Sequence, residues 1–168
     1  MIQTMATEAQ HFARRWFHNQ PQPSLLVLTG VSGCGKTHTA KGLFRFALQS
    51  SYTAFQKGGW KRGIPSTLFL SWPETTDTFK AGNYGVVDDC FKEGLLVIDD
   101  IGAEHDPSRN SADKLCQILT RRERKFTVIT TNIVPSAWPE RFDVRIADRL
   151  MRNSVVVDLS DATSYALV

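Results

Sequence analysis

Eight consecutive residues, Gly30-Val31-Ser32-Gly33-Cys34-Gly35-Lys36-Thr37, satisfy the pattern G-x-x-x-x-G-K-[S/T], and their types suit the capture of a phosphate chain. Glycines at 30, 33 and 35 permit backbone angles closed to other residues, so successive N–H groups can turn inward around an anion. Lys36 adds a full charge for β and γ phosphates, and the Thr37 hydroxyl suits Mg²⁺. A helix starting at Lys36 would aim the positive end of its dipole at the same point. The candidate cofactor-binding set is Gly30, Ser32, Gly33, Cys34, Gly35, Lys36, Thr37 and His38. Within it Cys34 reads as loop filler rather than a reacting group, and the His38 side chain as structural. A glycine-rich turn with a chance lysine is the plainer alternative, disfavoured by the complete motif between an expected strand and an expected helix.

Two further stretches end in polar groups that could serve the same phosphates. Leu95-Leu96-Val97-Ile98-Asp99-Asp100 is an apolar run closing on two acids, the form of a Walker B element. In a parallel sheet such strand ends open onto the ligand crevice, so Asp99 can reach a magnesium ion beside Thr37. The metal candidates are therefore Thr37 and Asp99. Asp100 stands where a carboxylate could orient or deprotonate an attacking water, although it is one methylene shorter than a glutamate. Thr127-Val128-Ile129-Thr130-Thr131-Asn132 is a second strand with a polar end, where Asn132 could bond both the γ-phosphate and the lytic water. Strand-end asparagine is also a common turn former. Glu104 is placed to support a network around Asp100.

The elements that must hold these groups follow from periodicity. Apolar residues recur at helical spacing over 5–18 (Ala9, Phe12, Ala13, Trp16, Phe17) and from Lys36 to Ser50 (Ala40, Leu43, Phe44, Ala47). Ala112, Leu115, Cys116 and Leu119 mark another helix, Arg145–Met151 a short one, and residues 76–92 a mixed helical region. Strands are expected at Leu25–Thr29, Thr67–Trp72, Leu95–Asp99, Phe126–Thr131 and Val155–Leu159. Continuous apolar strands alternating with helices favour a parallel sheet covered on both faces.

The whole chain has 168 residues, 42% hydrophobic and 22% charged, which suits a single folded domain rather than a disordered or fibrous chain. No apolar run is long enough for a membrane helix, and Glu8, His11, Arg14 and Arg15 interrupt any secretory core, so a cytoplasmic protein without a membrane partner is expected. Cys34, Cys90 and Cys116 have no CxxC spacing and read as free buried thiols. A net charge of +3 permits contact with nucleic acid without demanding it.

Taken in order, these segments resemble the AAA+ ATPases, and within them the DnaC/DnaI-type helicase loaders and the IstB-type transposition helpers. The match is carried by an aromatic helix before the first strand, GVSGCGKTHTA at 30–40, LLVIDDIGAE at 95–104, ILTRRERK at 118–125, VITTN at 128–132, RIADRLMRNS at 145–154 and DATSY at 161–165. The resemblance implies a P-loop NTPase α/β/α sandwich with a five-stranded parallel sheet of order 5-1-4-3-2. It implies one AAA+ core over 1–168, with 1–20 as an N-terminal helix packed on or leading into it. It further implies ATP and Mg²⁺ as ligands, slow ATP hydrolysis stimulated by assembly, and a homo-oligomeric ring or helix. DNA, the single-stranded form included, and a replicative helicase or transposase would be the partners. Arg145 and Arg149, four apart on one helical face, match the motif in which an arginine reaches a neighbour's γ-phosphate; Arg149 is the expected finger, Arg145 its helper and Arg152 an outsider.

Two departures accompany the match. The chain stops soon after its fifth strand, without a C-terminal helical lid, as loaders do, so partners would cover much of the ATP. Only 24 residues precede the first strand, where loaders carry a region that grips the helicase. A P-loop nucleoside or nucleotide kinase and a nucleotide-gated scaffold with negligible turnover are the alternatives. Lys57–Gly63 could contact a single strand by charge and stacking, Arg121, Arg122, Arg124 and Lys125 suit a helix C-terminus, and Trp138-Pro139 reads as loop packing.

Overall fold

The computed structural model describes residues 2–20, 22–56, 66–106 and 110–164; the Lys57–Gly63 stretch and Tyr165 of the closing motif lie outside the described residues. Helices α1 (Ile2–Phe17), α2 (Lys36–Gln56), α3 (Trp72–Lys80), α4 (Gly85–Lys92), α5 (Asn110–Arg121), α6 (Trp138–Arg141) and α7 (Val144–Met151) are interleaved with five strands. These are β1 (Leu25–Gly30), β2 (Thr67–Ser71), β3 (Leu95–Ile101), β4 (Phe126–Thr131) and β5 (Ser154–Leu159). They form one all-parallel sheet of order β2-β3-β4-β1-β5, the order the resemblance implies.

The alternation of side chains along the strands divides the core in two. Leu26, Leu28, Leu95, Val97 and Val128 pack with Phe12, Trp16, Leu43 and Ala47 on the side of α1 and α2. Leu25, Val27, Leu96, Ile98 and Ile129 pack with Phe79, Val87, Leu115, Ile118, Ile146 and Leu150 beneath α3, α4, α5 and α7. Three layers result. β1 and β4 are buried at every position, as strands covered on both faces must be. The N-terminal helix packs onto the sheet, with the Phe12 ring edge-on to Phe126 at 5.5 Å.

Local chemistry explains the shifts in element boundaries. Trp72, expected to end β2, instead opens α3: Pro73 suits a first helical turn, and the Trp72 ring is fully buried against Phe79. The mixed helical region divides into α3 and α4 at a turn where Gly82 takes φ +79°. A 3₁₀ turn at Pro135–Ala137 and the short α6 were not expected. Trp138 packs as expected but opens α6 rather than lying in a loop: its ring is fully buried and Nε1–H donates to the Ile133 carbonyl at 2.8 Å. All three cysteines are free and buried.

Candidate nucleotide-binding site

The glycine-rich bend leaves β1 at its C-terminal end and delivers the chain into α2. Gly30 still pairs with Leu159 of β5 at φ +139°, and a Cβ there would lie 2.5 Å from the Leu159 carbonyl carbon, so no side chain fits. Gly33 and Gly35 take φ +78° and +94°, angles that L side chains rarely adopt. Cys34 between them is fully buried in the α1–α2 side of the core, where it anchors the loop. Lys36 is 6% exposed and its ammonium donates to the Gly30 and Val31 carbonyls at 2.9 and 2.8 Å. The bend thus curls around its own cation. The first turn of α2 contains no acid, leaving the helix N-terminus fit for an anion. Ser32 is exposed on the bend; the His38 side chain is exposed and lines the groove between α1 and α2.

β3 brings its acids to the same edge. The Thr37 hydroxyl donates to Asp99 Oδ1 at 3.0 Å, joining the two candidate metal ligands although 62 positions separate them. Asp99 is 8% exposed and its Oδ1 also accepts from the Thr130 hydroxyl at 2.6 Å. Beyond Asp99 the strand bulges, and Asp100 sits in the left-handed region at φ +63°. Its carboxylate Oδ1 accepts from Asn132 Nδ2 at 3.0 Å, so the expected base and the expected γ-phosphate sensor touch. Burial pushes the Asp100 carboxyl above the usual carboxylate range, the neighbouring Asp99 charge adds to this, and Lys36 opposes it. Adjacent acids therefore have distinct environments. Thr130, a neighbour of both, was not singled out in the sequence; the available signal was a polar residue in a strand with no room for an unpaired one.

Glu104 does not join Asp100. Two residues past a tight turn, its nearest donor is the turn's own amide: Oε2 accepts from Gly102 N–H at 2.6 Å, and Oε1 lies 3.6 Å from Arg141 Nη2. Burial raises its carboxyl above the usual range. Arg141 also donates to the Gly102 and Glu104 carbonyls at 2.8 and 3.1 Å, fastening the turn after β3 to α6.

The arginines of α7 lie elsewhere. Asp143 caps the helix by accepting from the Arg145 and Ile146 amides at 2.8 and 3.1 Å. Burial pushes the Asp143 carboxyl up, but the Arg145 side chain and these amides outweigh that and hold it below the usual range. The Arg145 guanidinium pairs with Asp143 at 2.9 Å and Asp113 at 3.2 Å. Arg149 donates through Nε to Thr120 at 2.7 Å and through Nη1 to the Arg145 carbonyl at 2.9 Å, while Arg152 pairs with Asp148 at 2.7 Å. Arg149 and Arg152, with Arg124, Lys125 and Asn153, line a cleft of about 130 Å³ that also includes Ser24, Leu25 and Thr127. That cleft is where β1 and β4 begin, at the opposite edge of the sheet from the glycine bend.

Within the basic run, sequence reasoning did not separate Arg122 from its neighbours. Arg122 is 2% exposed and donates to the Cys90, Glu93 and Phe126 carbonyls and the Thr127 hydroxyl, tying α4, α5 and β4 together. Its burial lowers the guanidinium to about 10. The usable signal was spacing, because Arg122 continues the inward stripe of Leu115, Ile118 and Leu119.

The donors beside the glycine bend suit a magnesium-bound triphosphate: an ammonium, a helix N-terminus, and an oxygen-only hydroxyl–carboxylate pair of the type magnesium prefers. The chain matches the family described as IstB-like ATP binding protein over residues 13–167. It belongs to that family. An IstB-like chain is thereby an ATP-binding domain with the AAA+ type of fold. No curated protein matches it. Among solved structures, the DnaC helicase loader is 20% identical, with 90% of this chain and 88% of that chain covered at a TM-score of 0.66. DnaI is 21% identical, with 92% and 81% covered at 0.67. The replication initiator DnaA bound to AMPPCP and single-stranded DNA is 14% identical, with 88% and 44% covered at 0.65. These likenesses establish a shared fold. Among the described residues, no helix is long and apolar enough to cross a membrane.

Proposed function

We propose that this IstB-like protein is a slow, assembly-stimulated Mg²⁺-ATPase of the helicase-loader/IstB type, working in the cytoplasm on DNA or a DNA-processing partner. The observation that carries the reading is the convergence of Thr37, Asp99, Asp100 and Asn132 beside the glycine bend, through contacts of 3.0 Å at Thr37–Asp99 and at Asn132–Asp100. Thr37 and Asp99 would hold magnesium, which supplies charge neutralisation of the phosphates when bound. Lys36 and the bend amides bind and orient the triphosphate. Asp100 accepts a proton from the attacking water as its oxygen bonds to the γ-phosphorus and the bond to the β–γ bridging oxygen breaks, giving ADP and phosphate. Asn132 holds Asp100 and orients the water. Arg149, helped by Arg145, would serve the γ-phosphate of a neighbouring copy; its place at the opposite sheet edge is compatible with a head-to-tail ring or helix.

Asp100 favours one second reading, a nucleotide-gated scaffold with negligible turnover, because its carboxylate is short and already engaged by Asn132. Steady-state phosphate release with and without single- and double-stranded DNA, alongside sizing in ATP, separates the readings. DNA-stimulated release and a larger ATP-dependent species support the ATPase. ATP-dependent oligomers without phosphate release support the scaffold. Phosphorylation of an added nucleoside, without DNA stimulation, would indicate a kinase, and absence of ATP affinity in magnesium buffer would defeat all three.

A further inference from the structure

The bulge that carries the two acids is fastened by side chains of the neighbouring strand. Ile98 pairs with Ile129 and Ile101 with Thr131, so three steps along β3 face two along β4 and one residue is extra. An extra residue breaks the ladder and leaves backbone groups without strand partners. Two buried threonine hydroxyls take them. Asp100 N–H donates to Thr130 Oγ1 at 2.8 Å, and Thr131 Oγ1 donates to the Ile101 carbonyl at 2.7 Å. Thr130 and Thr131 are 1% and 0% exposed.

A hydroxyl has one proton. Because Thr130 Oγ1 accepts from the Asp100 amide, its own proton is free for Asp99 Oδ1, 2.6 Å away. The oxygen of Thr131 likewise accepts from Ile133 N–H at 3.1 Å while its proton goes to Ile101. One side chain on β4 therefore grips the main chain of one acid and the carboxylate of the other. This grip does not depend on Thr37, the other donor to Asp99 Oδ1.

We propose that Thr130 is a positioning residue for both acids: its hydroxyl fixes the left-handed turn that aims Asp100 at Asn132 and orients the Asp99 carboxylate toward the metal position. The inference rests on the ATPase reading, but the clamp itself is a property of the chain alone. Valine matches threonine in shape and lacks the hydroxyl, whereas serine retains it.

The test compares wild type, Thr130→Val and Thr130→Ser by amide hydrogen exchange at Asp100 without nucleotide, and by ATP affinity in magnesium and in EDTA. Thr130→Val should speed Asp100 exchange at least about 10-fold, since a buried amide loses its acceptor. It should weaken ATP binding in magnesium about 10-fold, the size of effect seen when a group orienting a metal ligand is removed, with affinity in EDTA unchanged. Thr130→Ser should behave as wild type. Unchanged Asp100 protection with unchanged magnesium-dependent affinity would overturn the proposal, and so would equal losses in magnesium and EDTA, which indicate a merely structural role. Should Thr130→Val not fold, Thr130→Cys, a weaker donor and acceptor, must show an intermediate loss, and wild-type behaviour there overturns the proposal. If wild type binds no ATP, the ATPase reading fails, while the exchange measurement still decides the clamp.

Discussion

The two edges of the sheet are built on different plans. At the edge where β1 and β3 end, Lys36, Asp99 and Thr130 are nearly inaccessible, and side-chain bonds link β1, α2, β3 and β4. At the other edge, Arg152 is mostly exposed and pairs with Asp148, and Arg149 rests on Thr120; Arg145, at the start of α7, is also mostly exposed and pairs with Asp143 and Asp113. Exposed ion pairs contribute only about 0–1 kcal/mol, so the second set can exchange partners cheaply. The first edge is organised within one chain; in the proposed assembly the second would complete a site in another.

That contrast predicts which substitutions act on a lone chain and which only in an assembly. The largest effect should come from Lys36→Ala, which removes the cation enclosed by the bend. ATP affinity measured by calorimetry should fall about 100-fold or more, from the loss of charge-assisted bonds, whether or not the protein assembles. Arg149→Ala should leave the affinity of the lone chain unchanged and lower turnover of the assembly about 1000-fold, the scale of an arginine acting in trans. Mixing it with Lys36→Ala should restore part of the phosphate release, because each copy supplies what the other lacks. Absence of rescue together with wild-type turnover of Arg149→Ala would break the comparison. Asp100→Asn should retain binding and reduce turnover about 100-fold, as loss of a general base does.

Two smaller effects sharpen it. Arg122→Met should lower stability by about 3 kcal/mol in chemical denaturation, because buried acceptors lose their donor, while Arg124→Met, on the exposed side of the run, should change it by less than about 0.5 kcal/mol. The pH profile should show the environment of Asp100. A base acts deprotonated, so turnover falls as pH drops through its pKa, and since burial and Asp99 raise that pKa the acidic limb should lie above the 3.8 of an ordinary aspartate. Asp100→Asn should lose that limb.

The sequence made the first edge readable because its chemistry is tied to strand ends and a complete glycine motif, and those fix where side chains emerge. Sheet order came through family resemblance rather than periodicity. The bulge at Asp100 was not legible: alternation along β3 gives no sign of one extra residue, and the hydroxyls that hold it come from β4. Glu104 was misplaced because local turn geometry, set by Gly102 at φ +90°, decided its partner. Arg122 was hidden in a run of cations whose types are alike and whose directions differ. The role proposed for Arg149 came through resemblance alone, because the surface it would serve forms only on assembly.

Sedimentation velocity of wild type and Lys36→Ala, each with and without ATP in magnesium buffer, tests most directly whether nucleotide at the glycine bend drives assembly. The expectation is that wild type alone shifts to a larger species, and only with ATP. An unchanged mass for wild type, or the same shift in Lys36→Ala, would contradict it.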